Sequence, residues 1–107
     1  MADLTVAQTI LDQLGGRRFT AMTGAKDFVG SEAEKSLTFR LPSNFANKGI
    51  NRVKITLDWS DTYTVEAMKI TKGRAGYITK AIEQRARVYA EDLQKVFTEM
   101  TGLDTHL

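Results

Sequence analysis

The spacing between apolar residues changes along this chain, and the change restricts its fold more than any other feature. From Val6 to Leu14, apolar side chains recur every three or four positions, which is the period of a helix with one buried face. This spacing predicts a helix over residues 4–14. Asp3 is expected to cap its first turn and Gly15 to end it.

The period then becomes two, and apolar residues alternate with polar ones in four runs. The runs cover residues 18–23, 36–41, 52–57 and 62–68. Alternation of this kind is typical of strands with one buried face, and short links between runs favour an antiparallel meander. The residues expected to face the core include Phe19, Phe39, Ile55 and Val65.

Beyond a glycine-rich break at residues 72–76, the apolar residues return to helical spacing. The pattern predicts a long helix that begins between Ala75 and Thr79 and ends at Gly102. Its opposite side would carry charges of alternating sign at every fourth position, as a solvated helix face does.

These elements predict one α+β domain over residues 1–107, in the order α-β-β-β-β-α. Each helix has one apolar stripe and the sheet has one apolar face, so both helices are expected on the same side. The predicted fold is a two-layer sandwich: a four-stranded antiparallel meander with a short N-terminal and a long C-terminal helix on one face. A chain of 107 residues is long enough to build such a core without disulfides.

Few residues in this chain are suited to catalysis or metal binding. It has no cysteine, and its single histidine is His106. Carboxylate pairs such as Asp58 and Asp61 have no histidine nearby in the sequence to complete a metal site. We therefore expect a protein that is not an enzyme, with no catalytic residues, no metal site and no cofactor.

The total charge is nearly balanced, with 15 Lys+Arg against 13 Asp+Glu. A net charge of +2 argues against an acidic DNA mimic, and any basic surface must come from local clustering. The first residues lack the cationic start and long apolar run of a signal peptide, and no apolar stretch approaches bilayer length. These features predict a cytoplasmic protein without a membrane partner.

The alternate positions of the four strands would form a second, wet face of the sheet. Its expected charges are four cations and one carboxylate, with several threonines between them. Such a face could donate to a phosphate backbone, although threonine is also a common residue on any solvated strand. It also lacks the aromatic side chains on which single strands stack. Both interpretations stay open.

Trp59, in a polar turn, is either an exposed interface anchor or a cover for the edge of the core. Together with the wet face it completes the set of candidate partner-binding residues. That set is Arg18, Thr20, Thr38, Arg40, Arg52, Lys54, Thr56 and Trp59.

One segment, Gly15-Gly-Arg-Arg-Phe-Thr-Ala-Met-Thr-Gly-Ala-Lys26, resembles a run found in small bacteriophage and prophage accessory proteins of unassigned function. Residues 53–57, 63–66 and 97–103 are similar to the same proteins. The resemblance implies a phage or mobile-element origin in a bacterial cytoplasm, and it implies no site residues.

The favoured hypothesis is a non-catalytic accessory protein that binds a host or phage macromolecule, foremost a protein, in a host-takeover or anti-defence role. The alternative is a nucleic-acid-binding module that uses the basic, threonine-rich sheet face. A third hypothesis is that the protein is a structural component that forms homo-oligomers through free edges of its sheet. The sequence leaves the oligomeric state and the identity of the partner open.

Overall fold

The structure is a computed structural model, which describes residues 5–31, 33–42, 49–58 and 62–103. Helices and strands follow one another in an α+β arrangement, with a 3-10 turn at Ala90–Asp92 before the last helix. The helices are α1 (Thr5–Leu14), α2 (Arg17–Thr23) and α3 (Leu93–Thr101). The strands are β1 (Lys26–Ser31), β2 (Ser36–Arg40), β3 (Arg52–Leu57), β4 (Tyr63–Gly73) and β5 (Gly76–Val88).

The five strands form one antiparallel sheet in the order β1-β2-β3-β4-β5. The predicted meander is therefore confirmed in kind, but the number of strands was wrong. Strands β2 and β3 begin and end close to the predicted positions, whereas β4 begins as predicted but continues five residues further, to Gly73. The edge strands β1 and β5 were not predicted, and both contain bulges that interrupt their pairing.

The core lies between one face of the sheet and the three helices. Side chains at alternate positions of β2, β3 and β4 are buried there, as expected for Phe39, Ile55 and Val65. The rings of Phe19 and Phe97, from α2 and α3, contact each other edge to face with their centroids 5.1 Å apart. Both also pack on Phe39 of the sheet, at 5.3 and 6.1 Å.

Residues 18–23, predicted as a strand, form helix α2 instead. Phe19 and Thr23 are buried, as alternation required, but Ala21 between them is exposed. Two residues four positions apart fit both a helix turn and a strand, so their burial alone does not distinguish the two. Thr23 closes the helix by donating its hydroxyl to the carbonyl of Phe19 at 2.8 Å.

The predicted long C-terminal helix was also wrong for most of its length. Its first part is strand β5, which pairs with β4 across a two-residue turn between Gly73 and Gly76. Tyrosine, isoleucine and threonine in residues 77–79 suit a strand better than a helix. Only the last nine residues before Gly102 are α-helical, and Gly102 ends α3 as predicted, with φ +76°.

The ends of α2 and α3 repeat one sequence, Phe-Thr-x-Met-Thr-Gly, at residues 19–24 and 97–102. Thr101 donates its hydroxyl to the Phe97 carbonyl at 2.8 Å, as Thr23 does to Phe19. Each hydroxyl also accepts an N–H from two residues further on, at 3.2 Å. The same local chemistry thus ends both helices that bring a phenylalanine into the core.

No helix within the described ranges has the length and apolar character needed to cross a membrane.

Candidate functional site

Five of the predicted site residues lie together on the side of the sheet opposite the core. We call this side the polar face; those five residues are Thr38, Arg40, Arg52, Lys54 and Thr56. All five are exposed or half-buried, and their cross-strand register brings them together. Thr38 stands opposite Lys54, and Arg40 stands opposite Arg52. The prediction that these residues share one accessible face is confirmed.

Arg18 and Thr20 do not belong to this face, because their segment is helix α2. Arg18 is exposed on the helix, whereas half-buried Thr20 donates its hydroxyl to the Gly16 carbonyl at 3.2 Å. Since Phe19 of the same helix packs in the core, α2 lies on the other side of the sheet from the polar face. Trp59 falls outside the described residues.

Two of the cations on the polar face are paired with carboxylates. Arg40 donates from Nη1 to Asp27 of β1 at 3.0 Å. The Lys54 ammonium pairs with Glu34, which lies in the turn between β1 and β2. The face is therefore less basic than the strand residues alone indicated, because neighbouring segments supply these two acids.

Arg52 is the exception. It stands directly opposite Arg40, and none of the described carboxylates forms an ion pair with it. Its Nε is buried without a hydrogen-bond partner in the described part of the structure. A buried donor left unbonded costs about 1–3 kcal/mol, and adjacent like charges across a strand pair add to the cost. Arg52 thus holds an unmatched donor and an unmatched charge.

The most exposed element of the described chain is the outer part of the β4–β5 hairpin. We call residues 69–80 the arm; nearly all of them are exposed on both sides of the hairpin. Residues 67–82 contain four Lys or Arg and no Asp or Glu. The four cations are Lys69, Lys72, Arg74 and Lys80. None forms an ion pair with a described residue.

The arm carries its cations on more than one side. Lys69 and Lys80 stand opposite each other in the strand register, so they share one side of the hairpin. Lys72 stands opposite Tyr77 on the other side, and Arg74 lies in the turn at the tip. No carboxylate within the arm offsets them, so the arm is a concentrated source of positive potential.

Asn51 fixes the base of the arm to the rest of the sheet. Its side-chain Nδ2 donates to the carbonyl of Ile70 at 2.8 Å, and its Oδ1 accepts the N–H of Ile70 at 2.8 Å. The backbone N–H of Asn51 also donates to the Met68 carbonyl at 3.0 Å. These bonds extend the pairing between β3 and β4 beyond Arg52, the first residue of β3, and orient the arm.

A cavity of about 460 Å³ opens on the polar face beside these bonds. We call it the arm-base cavity. Arg40 and Arg52 line it from the sheet, and Ile70, Tyr77 and Thr79 line it from the arm. Tyr77 is 77% exposed, so most of its ring faces solvent. The arrangement places two arginines and a tyrosine around one concave surface.

Sequence reasoning missed the arm and Tyr77 because it assigned residues 77–82 to a helix. Two signals were present in the sequence. One is the run of residues 67–82 without an acidic side chain, and the other is the pair Gly73 and Gly76, which flanks a two-residue turn. Pairing of β5 with β4 brings Tyr77 to the polar face. The predicted strands alone had placed no aromatic residue on that face.

Among the residues that the structure describes, no group of three or more His, Cys, Asp or Glu side chains is placed to hold a metal ion.

Comparison of this chain with models of known protein families, with curated proteins and with solved structures found no match.

Proposed function

We propose that this chain is a non-catalytic binding protein that contacts the phosphate backbone of a nucleic acid with its arm. The observation that carries the proposal is the arm itself. It is a projecting two-stranded ribbon with four cations, no acidic residue and no ion pair to a described residue. Unpaired Lys and Arg side chains that release counterions from phosphates are the main source of nucleic-acid affinity.

The shape of the arm supports the same proposal. A two-stranded β-ribbon is narrow enough to enter the major groove of a duplex or to lie along a single strand. Cations on both sides and at the tip can reach phosphates on more than one side of a groove. The network around Asn51 holds the arm in position, so less conformational freedom is lost on binding.

The proposal can be tested by neutralising cations in the arm and, separately, on α2. The test variant is Lys72→Gln/Arg74→Gln, and the matched control is Arg17→Gln/Arg18→Gln, which removes the same charge from exposed positions of α2. Binding of a labelled 20-base-pair duplex is measured by fluorescence anisotropy at several salt concentrations. Each lost phosphate contact reduces the slope of log K against log salt by about 0.9 for duplex DNA.

We expect the arm variant to bind more weakly and to lose about 2 units of slope, while the α2 control keeps the slope of the original chain. Equal effects of the two variants would show that overall charge, and not the arm, determines binding. If neither the duplex nor a single strand of the same length binds the original chain in a salt-dependent way at low salt, the proposal itself is contradicted.

A second candidate function is the binding of a host or phage protein, in keeping with the resemblance to phage accessory proteins. It is favoured by the exposed apolar side chain of Ile78, which is 59% exposed on the side of the hairpin opposite Tyr77. The buried centres of protein interfaces are rich in apolar side chains. An Ile78→Ser variant that no longer retains a bacterial partner, but still binds nucleic acid, would favour this candidate.

A further inference from the structure

The arm-base cavity combines features that a basic arm alone would not need. Its volume of about 460 Å³ lies in the range of pockets that enclose small ligands, and it is far too small to hold a double helix. Its walls come from two unlike sources: arginine residues from the sheet, and a tyrosine with an exposed ring from the arm. The ligand that fits this pairing has an anionic part and a flat apolar part.

The anionic part would meet Arg52. This residue lines the cavity, and no described carboxylate neutralises its guanidinium. Arginine binds phosphate in a bidentate manner through neighbouring N–H groups of the guanidinium. Arg40 lines the same cavity but is already paired with Asp27. Arg52 is therefore the primary anion site, with Arg40 beside it.

The flat part would meet Tyr77. Its ring is 77% exposed although it lines a cavity, so one side of the ring is free to stack. Bases stack on such rings when they are not already stacked in a duplex, and every base offers a flat face. A base within a double helix cannot present its face to a side chain without being flipped out.

We propose that the arm-base cavity binds one nucleotide unit of a single-stranded nucleic acid, with its phosphate on Arg52 and its base against Tyr77. The proposal deepens the proposed function, on which it rests, by naming single strands as the preferred ligand. The arm supplies backbone contacts to the neighbouring nucleotides. The cavity supplies a contact that depends on the presence of a base.

The test compares three probes of equal strand length with the full chain, by fluorescence anisotropy. They are a single-stranded thymidine dodecamer, an abasic dodecamer with the same number of phosphates, and a 12-base-pair duplex. We expect the thymidine strand to bind about 5- to 100-fold more tightly than the abasic strand, the range that stacking of one base provides. Equal charge on the two single strands removes the phosphate backbone as a cause of the difference.

Variants of the cavity assign that difference to its residues. Tyr77→Leu should bind the thymidine and abasic strands alike, whereas Tyr77→Phe should keep the preference because the ring is retained. Tyr89→Leu is the matched control, since Tyr89 is 60% exposed and lies outside the cavity. Arg52→Met should weaken binding of both single strands, and the Arg52 Nε–H resonance should shift when the thymidine strand is added to the original chain.

The outcomes separate this inference from the proposed function. If all three probes bind equally and Tyr77→Leu changes nothing, while Lys72→Gln/Arg74→Gln still weakens binding, the arm binds nucleic acid and the cavity inference is wrong. If the duplex binds more tightly than the thymidine strand, the inference is likewise overturned. If no probe binds at low salt, both the cavity inference and the proposed function are wrong.

Discussion

The inner and outer parts of strand β4 differ in what surrounds them. From Tyr63 to Ala67, every second side chain is buried against the helices, and β3 and β5 pair on both sides. From Lys69 onward, every residue is exposed or half-buried, and only β5 pairs with the strand. One continuous strand thus begins as part of the core and ends as a projecting ribbon.

The difference indicates that the inner part stabilises the fold and that the outer part has another role. The inner part has apolar side chains that must be buried for the protein to fold. The outer part contributes little buried apolar area, and its like charges repel one another. A segment that adds so little to stability, yet concentrates unpaired charge, is typical of a binding element. If this is so, substitutions in the inner part should lower the free energy of unfolding, and substitutions in the outer part should weaken binding instead.

The largest expected contrast is between two aromatic truncations. Phe97→Ala should lower the free energy of unfolding by about 3–5 kcal/mol, because the fully buried ring contacts Phe19 and Phe39. Tyr77→Ala should lower it by less than about 1 kcal/mol, because the ring is mostly in solvent. Urea denaturation followed by circular dichroism measures both. Similar losses would mean that the arm is part of the cooperative core.

The next contrast replaces a threonine hydroxyl by a methyl group. Thr101→Val removes the group that bonds the Phe97 carbonyl and the Leu103 N–H, and leaves that buried N–H unbonded. We expect a loss of about 1–3 kcal/mol in the free energy of unfolding. Thr71→Val on the exposed arm is the matched control and should change it by less than about 0.5 kcal/mol. A neutral Thr101→Val would refute the role given to this helix end.

A variant with a shorter arm tests directly whether the outer hairpin is needed for folding or only for binding. Replacing residues 72–77 with Asn-Gly leaves the paired residues Thr71 and Ile78 beside a two-residue turn. The bonds between Asn51 and Ile70 are retained, so the free energy of unfolding should fall by less than about 1 kcal/mol. Binding of nucleic acid should be weaker at every salt concentration. A protein that no longer folds would show that the outer hairpin supports the sheet.

The smallest expected effect lies where the two parts meet. Arg52→Met removes a buried Nε that has no described partner and a charge beside Arg40. The free energy of unfolding should stay within about 0.5 kcal/mol of its original value or rise, while single-strand binding weakens. The same denaturation series measures stability. A clear destabilisation would assign Arg52 a structural role in place of a binding one.

Several elements could be predicted from sequence because only one period fits them. The strands β2, β3 and β4 alternate over runs in which both the buried and the wet positions are occupied consistently. Helix α1 repeats its apolar stripe over more than two turns. Gly102 marks the end of α3 because a left-handed residue is common there. These patterns also brought Arg40, Arg52 and Lys54 to one face.

The errors at residues 18–23 and at residues 77–88 have a common physical cause. Phe19 and Thr23, like Ile78 and Ile82, are four residues apart, and a separation of four satisfies both a helix turn and two strand repeats. The repeated Phe-Thr-x-Met-Thr-Gly segment was the local sign that residues 19–24 end a helix as residues 97–102 do. Residues 77–88 form a strand because they pair with β4, and this pairing is not a property of the local sequence.

The sequence by itself determined strands β2 and β3, the inner part of β4, helix α1, the end of α3 and the residues that β2 and β3 contribute to the polar face, because local period and glycine placement suffice for these. The tertiary structure alone decided that Asp27 and Glu34 neutralise two of the cations and that Tyr77 joins Arg52 at one cavity. Both depend on strand register between distant segments. Register is set by long-range pairing, which no single stretch of sequence encodes.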